Sequence, residues 1–167
     1  VYILTPIFLA FIVSHVALIG YGVVRHTGDL GHLLSDTARD THGAVASAGW
    51  LGVAVILLRA FSLGGGTYTG IEAVSNGVGI LRVPLHENGR KTMLYMAASL
   101  AFTAGGILLC YLLNDVQFES GRTLNASLWE LLTRGMRLGP LEIGPAIVGL
   151  TLVSEGALLF VAAQTGF

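Results

Sequence analysis

The chain has 167 residues, of which 53% are hydrophobic and 11% charged, with a formal net charge of −1 and a mean hydropathy of +0.74. A soluble domain carries about 25% charged residues, so this composition excludes an ordinary water-soluble globule and implies a chain embedded in lipid. No basic field marks nucleic acid as a partner, and the single cysteine, Cys110, rules out an internal disulfide framework and a CxxC metal motif.

The chain opens on Val1 and is apolar at once, with no charged n-region and no small-residue cleavage site, so no signal peptide is expected. Both ends read as cut, and the expectation is a piece of a longer multi-pass membrane protein. The first apolar run covers about residues 3–24. Roughly 22 residues rising about 1.5 Å each are enough for a hydrocarbon core of about 30 Å. Pro6 falls in the first turns, where a missing N–H costs little. Ser14 and His15 interrupt the middle. His15 is read either as a histidine hydrogen-bonded to a neighbouring helix or as a proton-relay residue, because ionisable groups at mid-membrane are expensive and functional by default.

Residues 25–48 are polar, with His26, Asp29, His32, Asp36, Arg39, Asp40 and His42. Their spacing matches no metal-ligand motif. A solvated loop is expected, with Leu30, Leu33 and Leu34 marking a short amphipathic helix at the interface.

The second span, residues 49–80, is expected to be discontinuous and broken at 64–70 by Gly64-Gly65-Gly66-Thr67-Tyr68-Thr69-Gly70. Backbone interrupted at membrane depth is tolerated only where protein or a water-filled cavity surrounds it. A broken helix leaves free carbonyls on one half and free amides on the other, and so offers opposite poles for cations and anions. Thr67, Tyr68, Thr69 and Ser75 add oxygen ligands. Glu72 and Asn76 share a face by their four-residue spacing. Secondary transporters build substrate and ion sites on such gaps. Arg59, near mid-span, should pair with Glu72, with Glu155 or with freed carbonyls, or else snorkel to an interface if the half-helix is shallow.

A short loop, 81–91, carries Arg82, Arg90 and Lys91. By the positive-inside rule it is cytoplasmic and the two longer loops are external. The third span, 92–113, is uncharged, and its Gly105 and Gly106 suit the close approach of another helix. Cys110 within it reads as a small buried hydrophobe, and Tyr95 and Tyr111 as interfacial anchors. In the loop that follows, Leu124, Leu128, Leu131 and Leu132 recur at helical spacing, and Trp129 suits a helix resting at the headgroups. Asn125-Ala126-Ser127 matches the glycosylation sequon, a pattern common by chance. The fourth span, 143–167, holds Glu155, which must be neutral, paired or water-exposed.

The segment from Gly64 to Asn76, followed by a basic loop and Lys91-Thr92-Met93-Leu94, resembles the amino acid–polyamine–organocation superfamily, and most of all its bacterial KimA-type potassium importers. The resemblance covers most of the chain, as helices five to eight of twelve. It implies a LeuT-type fold of two inverted five-helix repeats, with Thr69 and Glu72 at positions associated with monovalent cation binding.

The expectation is thus an all-α integral membrane protein of the bacterial inner membrane with four transmembrane helices. Its function is expected to be secondary transport of amino acids or of a monovalent cation such as potassium, coupled to protons or sodium. Glu72, Glu155 and His15 are the candidates for proton coupling. No cofactor is expected; the partners are the bilayer, a small substrate, further helices of the parent and a second copy in a homodimer. The competing readings are a non-transporting scaffold, in which the break is a packing kink, and an intramembrane enzyme. The enzyme is disfavoured because no HExxH or GxSxG pattern occurs.

Overall fold

The computed structural model describes residues 4–64, 77, 79 and 81–164. About 83% of these residues are helical. Helix α1 spans Leu4–Arg25, α2 Leu30–Leu63, α3 Leu85–Leu113, α4 Leu124–Thr133 and α5 Gly144–Gln164. Four helical stretches, Leu4–Arg25, Thr27–Leu63, Leu85–Leu113 and Gly144–Ala163, are long and apolar enough to cross a membrane. This is the make-up of a multi-pass membrane protein. Besides the helices there is a two-residue antiparallel ribbon, β1 (Arg137–Leu138) with β2 (Leu141–Glu142), pairing Arg137 with Glu142 and Leu138 with Leu141.

The chain divides into two compact units. The first comprises Val1–Thr27 and Leu100–Phe167 and holds α1, the end of α3, α4 and α5. Its core is Leu18 and Ile19 from α1, Cys110 from α3, Leu128, Trp129 and Leu132 from α4, and Val148 from α5. Cys110 is fully buried, as its apolar run implies, with its thiol turned to the Ile19 carbonyl. The small residues of α3 receive α1: a Cβ placed on Gly106 would lie 2.6 Å from Ile19 Cγ2. Past the end of α1, the His26 ring Nδ1–H donates to the Gly22 carbonyl at 3.0 Å, filling one of the acceptors that a helix end leaves open.

Helix α4 packs its apolar side on protein. Trp129 and Leu128 are both fully buried. Its N-cap is Thr123, whose hydroxyl accepts from the Ala126 N–H at 3.1 Å. Its other end abuts the start of α5 so closely that a Cβ on Gly144 would sit 2.6 Å from the Thr133 carbonyl oxygen. The ten-residue helix therefore runs back along the first half of α5, and its apolar stripe faces protein.

The second unit, Gly28–Ser99, holds α2 and the start of α3. The expected polar loop is helical: α2 begins at Leu30, and its one departure from helical geometry is Gly49, with φ 70° and ψ 167°. That residue falls where the composition changes from polar to apolar. The helix stops at Leu63, with Gly64 as its C-cap. The expected second half of this span, apart from Gly77 and Gly79, lies outside the described residues. Helix α3 begins seven residues before the expected boundary of 92, so His86, Glu87, Arg90 and Lys91 are on helix rather than loop. Among the described residues no acid pairs with Arg59, which is exposed.

Adjacent glycines of α3 provide a matched test. Gly106→Ala must displace Ile19 and should cost about 1–3 kcal/mol, whereas the Cβ of Gly105→Ala meets nothing within 4 Å and should be neutral or slightly stabilising. Thermal unfolding of both variants in detergent would show the difference.

Candidate functional site

Two of the ionisable residues singled out in the sequence meet in the first unit. His15 lies near the middle of α1 and Glu155 near the middle of α5. His15 Nε2 is 3.1 Å from Glu155 Oε1, with the two side chains 1% and 14% exposed. The imidazole is oriented from behind. Its Nδ1 is 2.8 Å from the Phe11 carbonyl oxygen one turn earlier. A carbonyl only accepts, so Nδ1 carries a hydrogen. Ser14 donates to the same carbonyl at 3.0 Å. The Phe11 ring lies against the imidazole at a centroid distance of 3.9 Å, and Trp129 meets it edge-on at 5.3 Å. Nε2 has no partner other than the Glu155 carboxyl, which it meets at ion-pair distance without good hydrogen-bond alignment.

The carboxyl of Glu155 is met from α4 as well. Trp129 Nε1–H donates to Oε1 at 2.8 Å, and Asn125 Nδ2–H donates to Oε2 at 3.0 Å. These two residues are four apart on α4 and so share a face. The Asn125 carbonyl oxygen accepts in turn from the Tyr111 hydroxyl of α3. A buried carboxyl costs several kcal/mol unless its oxygens are met by donors. Here α1, α3 and α4 supply a chain of them, and α4 reaches the carboxyl because it runs down the first half of α5.

Three members of this cluster carried other readings in the sequence. Tyr111 and Trp129 read as interfacial anchors, and Asn125 as the first residue of a sequon. In the structure the Asn125 amide is occupied by Glu155 and Tyr111, which removes it from the surface role a glycan acceptor needs. The Asn125/Trp129 spacing on a helix that also carries a leucine stripe was the signal available. It pointed to an inward polar face, but nothing local to it named Glu155 as the acceptor.

The other predicted site residues, Thr67, Tyr68, Thr69, Gly70, Glu72, Ser75 and Asn76, lie outside the described residues. Among the described residues, every group that contacts the Glu155 carboxyl belongs to the first unit. Comparison with family models, with curated proteins and with solved structures returns no match. The likeness to the amino acid–polyamine–organocation superfamily therefore rests on sequence alone: the residues from Gly64 to Asn76, the basic loop that follows and Lys91-Thr92-Met93-Leu94.

Removing one donor exposes the cost of the buried carboxyl. Asn125→Ala leaves Oε2 unmet and should destabilise the protein by about 1.5–3 kcal/mol, the range for hydrogen bonds to charged groups. Ser127→Ala destroys the same sequon without touching the network and should stay within about 0.5 kcal/mol of the parent. Denaturation of the two variants separates the network from any glycan.

Proposed function

We propose that the protein is a secondary active transporter of the amino acid permease type, in a bacterial inner membrane, moving amino acids or a monovalent cation such as potassium. The observation that carries this reading is the His15–Glu155 pair, with His15 buried and Glu155 mostly enclosed, on two helices that are long and apolar enough to cross a membrane. Ionisable pairs in such surroundings are costly to keep, and they mark ion pathways and proton relays. In this reading the pair handles the coupling proton, with sodium the other candidate coupling ion. The substrate is held by the segment Thr67–Asn76, where Thr69 and Glu72 bind a cation or the amide pole of the second half-helix binds a substrate carboxylate. Movement of one group of helices against another then alternates access.

A second reading is favoured by the donors that meet the carboxyl. Each oxygen of Glu155 meets a donor from α4, as a purely structural clamp would require. The protein would then be a membrane scaffold that moves nothing.

Uptake separates the two. In a strain lacking its own potassium importers, with a parallel panel of labelled amino acids, the intact protein should rescue growth on low potassium or accumulate an amino acid. Glu72→Gln should abolish or uncouple that uptake, and Glu155→Gln should remove its dependence on the proton gradient. Unchanged uptake kinetics in Glu72→Gln would sink its assigned role. Absence of any uptake by protein that reaches the membrane would favour the scaffold.

A further inference from the structure

We infer that His15 and Glu155 form a binding site for a single proton, and that α1, α4 and α5 are all held together at it only while the site holds that one proton. This goes beyond transport and stands whether or not the protein moves a substrate.

The inference follows from counting hydrogens around the carboxyl. Nδ1 of His15 is committed to the Phe11 carbonyl as a donor. With the pair stripped of its proton, the lone pair of Nε2 would face the ionised Oε1 at 3.1 Å with nothing between them. With one proton, either Nε2–H faces the carboxylate or the carboxylic acid donates to Nε2. Both arrangements leave Oε1 free to accept from Trp129 and Oε2 free to accept from Asn125. With a second proton the imidazolium is full and the acid hydroxyl needs an acceptor. On Oε1 it meets the N–H groups of His15 and Trp129; on Oε2 it meets the N–H of Asn125. Turning the Asn125 amide would offer the hydroxyl an oxygen, but it would take from Tyr111 the acceptor that its own hydroxyl now uses. Only the singly protonated pair satisfies every member. Without the proton the contact that fails is the one by which α1 meets α5; with a second proton it is one of the two bonds by which α4 holds α5.

Few other groups contribute to the titration. Glu155 is the only ionisable residue of α5, and His15 the only one of α1 that faces it; Tyr21 and Arg25 bond each other on the exposed side. From α3, within this unit, come Tyr111, through Asn125, and the buried Cys110, which turns to the Ile19 carbonyl. Helix α4 presents only neutral donors to the carboxyl, and its exposed Glu130 pairs with Arg122.

Trp129 donates to Glu155 and meets the His15 ring edge-on, so it reports on both contacts. In the intact protein in lipid nanodiscs, with Trp50→Phe to silence the other tryptophan, emission is followed from about pH 4 to about pH 10, the range in which carboxyl, imidazole and phenol groups titrate. The emission maximum should be bluest in mid-range and shift to the red at both ends. His15→Gln supplies a permanent donor toward Oε1, so it should lose the alkaline shift and keep the acid one. Glu155→Gln should lose both. Tyr111→Phe should keep both, which sets its phenol apart from the imidazole. Emission that does not change with pH, a shift at one end only, or an alkaline shift that survives His15→Gln would overturn the single-proton site. The unsubstituted pair is scanned first, so the outcome does not hang on whether a variant folds, and no uptake is needed for the reading.

Discussion

A carboxyl group placed halfway along an apolar helix has to be met on both of its oxygens, and the first unit is arranged around that demand. Glu155 draws His15 from α1 and the Asn125 and Trp129 pair from α4, with Tyr111 of α3 behind Asn125. In lipid there is no water to stand in for a missing donor, so each partner must come from protein. This explains why a helix in a connecting segment is folded inward. Without α4 the carboxyl would keep one partner of the three that reach it.

Apolar packing and the polar network reinforce one another. Leu128 and Leu132 of α4 close the core with Leu18, Ile19 and Val148, while Asn125 and Trp129 on the same helix reach the carboxyl. The close contacts at Gly106 and Gly144 bring α1 against α3 and the end of α4 against α5 near enough for short side chains to bond. Buried polar networks of this kind specify one arrangement, because a displaced partner leaves another group unmet.

Much of this architecture was legible as a pattern. The apolar runs mark the four helices, and their ends fall close to the sequence boundaries for α1 and α5. The glycines of α3 mark a close helix contact, and the isolation of His15 and Glu155 in apolar surroundings marks both as unusual. What could not be read was that they meet, since nothing short-range links positions 140 residues apart. The protein contacts of α4 could not be read for a related reason. A leucine stripe with a tryptophan suits a lipid interface and a protein groove equally, and only the position of Glu155 decides between them. The polar stretch before Gly49 looked like a loop because its hydropathy is low. Helix formation there depends on backbone propensity, which low hydropathy does not oppose.

Gly49 has a consequence for how the second unit meets its surroundings. Its φ of 70° and ψ of 167° fall in a region that is essentially closed to residues with a Cβ. The break resets the angular phase of the helix: the side chains before it and those after it turn on separate wheels. The polar stretch with its histidines and aspartates can choose its watery face without regard to the exposed apolar residues that follow the break, Trp50, Leu51 and Ile56 among them. One residue thus lets a single run of helix answer to two solvents.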